Sequence, residues 1–484
     1  MREERELKKE KKIEKKIAKK LNREYSVVVY AFLLLFTALI GYFIYFNIFQ
    51  SEKVINNSFN KRTESFAKEI IRGNIYDKNK VLLATTKVAA DGTETRSYPY
   101  GRIFAHVVGY SDKGKTGIES AANFNMLRSN SSIITRINND LNDKKSMGDS
   151  VVTTLDARLQ EAAYNALGDH DGAAVVMEVK TGKVLAMVSK PAYDPNAIEA
   201  SWDLYTKQDS DKGILLNRAT QGLYPPGSTF KIFTLLEYIR ENQDYENFSY
   251  NCKGSITDGN FKLRCYDAQV HGKLDLKSAF AKSCNSTFAS LGLAIDNDKL
   301  KALCEKALFN SELPLENIPY SKSSFVLTGS ATNPQTMMTA IGQGETVVSP
   351  MHMCMVASAI ANKGELMKPY LVDHIENDAG IEVSANKPEK TATLFEAADC
   401  SVLKEYMRAV VTEGTGYKFN GVKYEVAGKT GTAEFSSDKS KSHSWFVGFA
   451  PVEDPEIAIA VIAEDSDGTA VPISKSILDV YFAK

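Results

Sequence analysis

Basic charge is scarce in most of this sequence. The first 24 residues carry 11 Lys or Arg against 6 Asp or Glu, whereas the rest of the chain carries 48 against 54. Because nucleic-acid binding needs a basic surface, the composition argues against that partner for the main part of the chain. Histidine is scarce too: the six histidines are scattered, so we predict no metal site and no cofactor.

Cysteine is absent from the first 251 residues, and the spacing of the six cysteines that follow matches no zinc motif. Cys252 and Cys265 bound a polar, glycine-containing loop of 14 residues. A disulfide between them would contribute roughly 3 kcal/mol of stability. Whether it forms depends on the redox environment, so the sequence leaves both states open. The six residues are Cys252, Cys265, Cys284, Cys304, Cys354 and Cys400.

One long apolar run is present. No charged residue occurs from Tyr25 to Ser51, and a helix of about 27 residues is ~40 Å long, enough to cross a bilayer core of ~30 Å. A cleaved signal peptide would have a shorter core and a cleavage site, and neither is evident. We therefore predict a single transmembrane helix at residues 25–50. The basic cluster before it predicts a cytoplasmic segment at 1–24, with the rest of the chain outside the plasma membrane.

Two regions are expected after this helix. Residues 51–150 contain short strand-like pieces and a polar tract, 128–150, that is expected to be poorly structured or peripheral. We interpret them as a small mixed pedestal region that lifts a larger domain off the membrane. Residues 151–484 begin with a strand, a helix cap at Asp156 and a hairpin, and end with three more strands around a mostly helical middle. This order predicts one α+β domain, with an antiparallel sheet flanked by helices.

The stretch "LYPPGSTFKIFTLLEYI" in that domain places a serine one turn before a lysine. Pro225, Pro226 and Gly227 prevent a helix, and the apolar run that follows predicts a buried one. Ser228 then lies at the helix start, with Lys231 on the same face. Serine is a preferred N-cap, and that structural role is one interpretation of Ser228. The lysine is harder to explain structurally, because burying its charge is costly.

Two further motifs fit a nucleophilic serine. Ser283 and Asn285 are polar positions in an apolar helical run, and Lys429, Thr430, Gly431 and Thr432 lie on a predicted strand. A serine attacks only when a base takes its proton, and Lys231 can do so if its pKa falls by ~3 units. A second cation such as Lys429 favours that fall. We predict that Ser283 relays a proton, that Asn285 holds a substrate amide, and that Lys429 and Thr432 receive a carboxylate. Gly431 would let the substrate backbone approach closely.

The set "STFK", "SCN" and "KTGT" resembles the penicillin-binding protein and serine β-lactamase superfamily. Several other stretches look like class B penicillin-binding proteins and occur in the order of that family: "RGNIYDKNKVLLA" (72–84), "TGIE" (116–119), "KTGKVLAMVSKPAYDPN" (180–196), "AIGQGE" (340–345) and "SWFVGFAP" (444–451). The resemblance implies a serine β-lactamase or transpeptidase-like fold. It also implies that Ser228 is the acylated nucleophile and Lys231 its base. Ser283, Asn285 and Lys429 to Thr432 would form the rest of the site.

The implied activity is D,D-transpeptidation of peptidoglycan stem peptides, with β-lactams as mimics of the donor. The resemblance also implies a separate membrane polymerase as partner, because the room before residue 151 is too small for a glycosyltransferase domain. A β-lactamase and a D,D-carboxypeptidase share the motifs, but usually lack the anchor and pedestal. A β-lactam sensor would need more membrane spans and a cytoplasmic effector. A non-catalytic scaffold would not need the serine and both lysines.

Some neighbouring residues are interpreted structurally. We expect Cys284 to be a small buried side chain, His271 and His443 to be structural hydrogen-bonding groups, and Trp445 and Phe446 to lie in the sheet core. Gly342 and Gly344 are expected to serve a backbone turn, and Glu434 to be solvated.

Overall fold

The computed structural model describes residues 2–46, 68–207, 213–434 and 442–483. In chain order the α-helices of these residues are α1 (Arg2–Tyr45), α2 (Ala105–Val108), α3 (Gly117–Ala121), α4 (Asn123–Met126), α5 (Ile133–Leu141), α6 (Ala157–Ala166), α7 (Ile198–Thr206), α8 (Lys231–Glu241), α9 (Leu276–Ala281), α10 (Asn285–Ala294), α11 (Asn297–Lys306), α12 (Asn333–Ala340), α13 (Pro350–Ala361), α14 (Ala397–Thr412) and α15 (Ala470–Phe482).

The strands, in the same order, are β1 (Ile70–Ile71), β2 (Ile75–Tyr76), β3 (Leu82–Val88), β4 (Glu94–Ser97), β5 (Ser146–Met147), β6 (Ser150–Thr153), β7 (Gly172–Glu178), β8 (Val184–Lys190), β9 (Tyr250–Cys252), β10 (Ser255–Asp258), β11 (Phe261–Arg264), β12 (Gly272–Leu274), β13 (Glu365–Met367), β14 (Val372–Glu376), β15 (Glu382–Ala385), β16 (Lys390–Thr393), β17 (Ala427–Glu434), β18 (Ser442–Ala450) and β19 (Ile457–Ala463). The chain divides into two compact units, Met1–Asn60 and Lys61–Lys484.

The first unit contains one long helix. Helix α1 includes the basic segment and most of the apolar run, and none of its residues is buried. By length and composition it could cross a membrane. Residues 47–50, at the end of the predicted transmembrane helix, lie outside the described residues.

The central sheet of the second unit has the order β17-β18-β19-β7-β8, and every neighbouring pair is antiparallel. The β7–β8 hairpin and the three C-terminal strands are those predicted from the sequence. The pairing of β19 with β7 joins the two ends of the predicted domain in one sheet. This confirms the predicted α+β class and leaves β17, which carries Lys429 to Thr432, at the edge.

Both faces of this sheet are buried, because helices cover each of them. Strand residues alternate between the faces, as the period of two requires. Ala174 and Val176 of β7 pack in the cluster that contains α6 and α15, whereas Val175 and Met177 pack in the cluster that contains α13. Trp445 and Phe446 are fully buried on opposite faces of β18, which confirms their predicted place in the sheet core.

A second sheet includes much of the predicted pedestal. Its order is β15-β14-β6-β2-β3-β4, with β6 parallel to β2 and antiparallel to β14. Strand β6 lies across the predicted division at residue 150, so residues on both sides of that division share one sheet. Asp156 caps α6 as predicted, since its side chain accepts hydrogen bonds from the N–H groups of Arg158 and Leu159.

The polar tract at 128–150 is more regular than predicted. It forms helix α5 and strand β5, and the Ser132 side chain caps α5 by accepting a hydrogen bond from the Thr135 N–H at 3.1 Å. The cap and the apolar spacing of the helix explain this order. None of the residues of α5 is buried, so this helix is peripheral as expected, whereas Ser146, Asp149 and Ser150 at the end of the tract are buried.

Candidate active site

Ser228 lies in a tight turn that leads into a buried helix. Residues Gly227–Phe230 form a 3-10 turn, and α8 begins directly afterwards at Lys231. The interpretation of Ser228 as an N-cap is wrong. Pro226 and Phe230 occupy the cap positions, and neither makes a side-chain capping bond. The chain instead displays the Ser228 hydroxyl, which is half-buried.

Two glycines hold this turn in place. Gly227 has φ of +52°, and its N–H donates to the carbonyl oxygen of Gly342 at 2.9 Å. A β-carbon on Gly342 would lie 1.8 Å from the Gly227 carbonyl oxygen, so only glycine fits. Gly342 lies in a backbone turn, as predicted, and its lack of a side chain also lets this segment pack against the serine turn.

We expect Gly342→Ala to destabilise the protein more than Gly344→Ala does. Both glycines have positive φ, which costs an alanine about 1–2 kcal/mol. Only Gly342 adds a backbone clash, worth about 1–3 kcal/mol more, because the nearest atom to a β-carbon on Gly344 is Thr339 Oγ1 at 3.8 Å. Chemical unfolding of both variants measures the difference. Equal losses of stability would show that the Gly227–Gly342 contact does not hold the turn.

Lys231 lies at the centre of the site. Its Nζ is 3.0 Å from Ser228 Oγ, 2.8 Å from the Ser283 carbonyl oxygen, 3.2 Å from Ser283 Oγ and 2.7 Å from Asn285 Oδ1. The side chain is fully buried. Burial lowers the pKa of Lys231 from its ordinary 10.5 to about 7. This lowered pKa allows the amine to give up its proton near neutral pH.

Ser283 lies between two lysines. Lys429 Nζ is 3.0 Å from Ser283 Oγ, although the two residues are 146 positions apart in the chain. Lys429 is fully buried. Burial, together with the charge of Lys231, lowers the pKa of Lys429 well below its ordinary value. Ser283 itself has φ of +56°, so its backbone is held in the sparsely populated left-handed region.

Asn285 begins helix α10 on the other side of Lys231. Its Oδ1 accepts from Lys231, and its Nδ2 donates to the carbonyl oxygen of Arg264 at 3.2 Å. These two bonds fix which way the amide faces. The side chain is half-buried, so part of it remains accessible to solvent.

Edge strand β17 runs beside the serine turn. Thr430 and Thr432 are half-buried, and the Thr430 hydroxyl is 2.5 Å from that of Thr415. A β-carbon on Gly431 would lie 3.0 Å from both Thr229 Cγ2 and Trp445 Cβ. Glycine at this position therefore lets the strand pack against the serine turn, while the predicted close approach of substrate stays a prediction.

Three residues near the site were not assigned to it from the sequence: Trp445, Tyr266 and Asp467. Trp445 Nε1 donates to the carbonyl oxygen of Pro225 at 3.1 Å, which ties the serine turn to the sheet core. Tyr266 and Thr432 both bond to Asp467, at 2.6 Å and 3.4 Å. No local pattern marks them, because their partners are distant in the chain. Glu434 is exposed, as predicted, and Cys284 is fully buried.

Comparison with known proteins identifies the family. A model of the penicillin-binding protein transpeptidase domain matches residues 172–479, and one of the penicillin-binding protein A dimerisation domain matches residues 72–151. The chain belongs to the penicillin-binding protein transpeptidase family. The resemblance stated from the sequence motifs is thereby confirmed.

Relatives of this transpeptidase include enzymes and solved structures. It is 33% identical over 408 residues to the peptidoglycan D,D-transpeptidase PbpA of Mycolicibacterium smegmatis, covering 79% of this chain and 82% of that protein. Its fold is similar to that of penicillin-binding protein A from M. tuberculosis in an imipenem acyl-enzyme complex. The TM-score is 0.78 at 26% sequence identity, and the match covers 87% of this chain and 99% of that one. A D,D-transpeptidase domain from Eggerthella lenta has a TM-score of 0.76 at 31% sequence identity, and the match covers 86% of this chain and 99% of that one.

Proposed function

We propose that this transpeptidase is a membrane-anchored D,D-transpeptidase that cross-links peptidoglycan stem peptides through an acyl-enzyme on Ser228. The observation that carries the proposal is the 3.0 Å distance between Lys231 Nζ and Ser228 Oγ. The Lys231 side chain is fully buried. The relative from Mycolicibacterium smegmatis is named a peptidoglycan D,D-transpeptidase, which supports the same substrate class.

The contacts of Lys231 suit a neutral amine that acts as a base. A neutral amine has two N–H donors and one lone pair. The Ser283 carbonyl oxygen and Asn285 Oδ1 accept the two donors at 2.8 Å and 2.7 Å. The lone pair is then directed to the Ser228 hydroxyl, whose proton it takes as Oγ attacks the carbonyl carbon of the donor peptide.

The leaving group needs a proton, and Ser283 can pass it on. Its hydroxyl lies within 3.2 Å of Lys231 Nζ and 3.0 Å of Lys429 Nζ. When the peptide bond breaks, the proton taken from Ser228 moves through Ser283 to the amine of D-alanine, and an ester remains on Ser228. In the second half, an amine of a neighbouring strand attacks the ester carbon and the bond to Ser228 Oγ breaks. Lys231 passes the proton that the amine loses to Ser228 Oγ, so the amide cross-link forms and the serine is regenerated.

The remaining motif residues bind the donor. Lys429 gains its proton when the terminal carboxylate arrives, because an opposite charge favours the protonated amine. Thr430 and Thr432 offer hydroxyl groups to the same carboxylate, and Asn285 bonds to the peptide amide. The Ser228 N–H and an N–H of edge strand β17 form the oxyanion hole, which stabilises the tetrahedral intermediate.

We also propose the arrangement of the whole chain. Residues 1–24 are cytoplasmic, 25–50 cross the membrane, 51–150 form the pedestal and 151–484 the extracytoplasmic transpeptidase domain. The apolar character of α1 and the dimerisation-domain match at 72–151 support this division. A membrane-embedded glycan polymerase is the expected partner, since it would supply the strands that this enzyme cross-links.

Covalent labelling tests the proposed nucleophile. The full chain in detergent is mixed with a fluorescent penicillin, and the label is followed over an hour on a denaturing gel. We expect a long-lived band that is absent from Ser228→Ala. A band that fades within minutes would favour a β-lactamase. A band that persists in Ser228→Ala would contradict the assignment of the nucleophile. D-Alanine release from a stem peptide, with an amine acceptor present, tests transpeptidation itself.

A further inference from the structure

Three cysteines and a histidine converge next to the active site. Cys252 Sγ lies 3.6 Å from Cys265 Sγ and 3.3 Å from His271 Nδ1, and Cys265 Sγ lies 3.8 Å from Cys284 Sγ. These four atoms all lie within 4.8 Å of one another. The three cysteines are buried and unbonded to one another, whereas His271 is half-buried.

We propose that Cys252, Cys265, His271 and Cys284 bind one Zn²⁺ ion. Three thiolates and one imidazole are a common structural zinc set, and a tetrahedral ion with Zn–S bonds of about 2.3 Å separates its sulfurs by about 3.8 Å. The 3.6 Å and 3.8 Å separations match that value. Binding displaces one proton from each thiol, and His271 coordinates through the lone pair of neutral Nδ1.

The groups around the sulfurs are those that support thiolates. The N–H of Gly254 is 3.4 Å from Cys252 Sγ, the N–H of Ser286 is 3.5 Å from Cys265 Sγ, and the Thr287 hydroxyl is 3.1 Å from Cys284 Sγ. Hydrogen bonds donated to ligand sulfurs hold them in place and disperse their negative charge. Each of the three sulfurs thus has a donor directed at it.

The spacing of these residues hides the site in the sequence. They form the pattern C-x12-C-x5-H-x12-C, which matches no common zinc motif. Strand β9 pairs with β12 so that Cys252 lies opposite Gly272, the neighbour of His271. Cys265 follows β11, and Cys284 occupies the N-cap position of α10. The expectation of no metal site rested on the scattered positions of the histidines in the sequence, which do not show that His271 lies beside three cysteines.

The site would brace the active-site motif that it adjoins. Cys284 lies between Ser283 and Asn285, and Cys265 follows Arg264, whose carbonyl oxygen accepts from Asn285 Nδ2. One ion would therefore fix both the segment that carries Asn285 and the segment that holds its amide. This positioning role rests on the proposed function, whereas binding of zinc does not.

Metal content tests the site directly. The full chain is purified in detergent without chelator, and zinc is measured by mass spectrometry. We expect one zinc per chain, and six free thiols in the denatured, chelated protein. Replacement of zinc by Co²⁺ should give a sulfur-to-cobalt charge-transfer band and the intense visible bands of a tetrahedral complex. Failure to bind either ion would overturn the proposal, and so would four free thiols, which would indicate a disulfide.

Two variants test whether zinc binds at this cluster or at other cysteines of the chain. His271→Ala removes the most accessible ligand. We expect it to lower zinc affinity by more than the factor of about 10–100 that is typical when only a hydrogen-bonding partner of a ligand is changed. Cys400→Ser alters a buried cysteine outside the cluster and should keep one zinc per chain. If His271→Ala keeps wild-type zinc affinity, the ligand assignment is wrong.

Acylation by penicillin then tests the positioning role. We expect folded, zinc-free His271→Ala to label Ser228 about tenfold more slowly, since a displaced Asn285 misorients the substrate. Zinc loss with unchanged labelling would retain the metal site and reject its positioning role. A wild-type protein that binds zinc but never labels would count against the proposed function alone.

Discussion

Lys231→Met is expected to lower the rate constant for acylation of Ser228 by a β-lactam by about 10²–10⁴-fold, the usual contribution of a general base. Methionine is close in size to lysine and suits a buried site, so the fold should persist. The variant loses the amine that lies 3.0 Å from Ser228 Oγ. Rapid-mixing measurements of acylation, with far-UV circular dichroism to verify folding, give the comparison.

The pH dependence of the wild type supplies an independent readout. Burial lowers the pKa of Lys231 to about 7. Below that pH the amine is protonated and cannot take the serine proton, so acylation should be slow. The rate should rise with pH through about 7 and then level off. In Lys231→Met this rise should disappear.

Lys306→Met is the matched control, because Lys306 is an exposed lysine paired with Glu396 on the surface. Its acylation rate and pH profile should match those of the wild type. A folded Lys231→Met protein that retains both the wild-type rate and its pH dependence would show that another group is the base.

Glu119→Gln is expected to destabilise the protein by about 3–5 kcal/mol, the cost of breaking a buried ion pair. Glu119 is fully buried. Its two carboxylate oxygens accept from Arg72 Nε at 2.6 Å and Arg96 Nε at 2.7 Å. Burial alone would raise the pKa of Glu119, but the two guanidinium groups outweigh it and lower the pKa. Glutamine keeps the shape, yet leaves two buried positive charges without their counter-ion.

Glu94→Gln serves as the control for this change. Glu94 pairs with Lys145 at 2.5 Å, but both side chains are partly exposed. Loss of such a pair costs only about 0.2–1 kcal/mol. Denaturant unfolding should therefore show that Glu119→Gln lowers the free energy of unfolding several-fold more than Glu94→Gln does. Equal losses would show that the buried network contributes no more than a surface pair.

The local elements followed from the sequence. Short apolar runs mark the β7–β8 hairpin and strands β18 and β19, and Asp156 marks the start of α6. Such patterns extend over only a few residues, so they can be recognised in the sequence. They agree with the structure because the central sheet is buried on both faces, where apolar residues are favoured. The three motifs around Ser228, Ser283 and Lys429, taken in their context, order and spacing and together with the other family-like stretches, indicated the family.

What the sequence alone could not determine are the contacts between distant residues. The stretches "RGN" and "TGIE" are far apart in the sequence, and nothing in either one shows that Arg72 forms an ion pair with Glu119 in the folded protein. The Gly342 segment, the Ser283–Lys429 contact and the cysteine cluster likewise depend on strand register and helix packing. The residue types, their local periodicity and the family were thus determined by the sequence. The tertiary structure decided which side chains meet, because such contacts form only when segments far apart in the chain pack together.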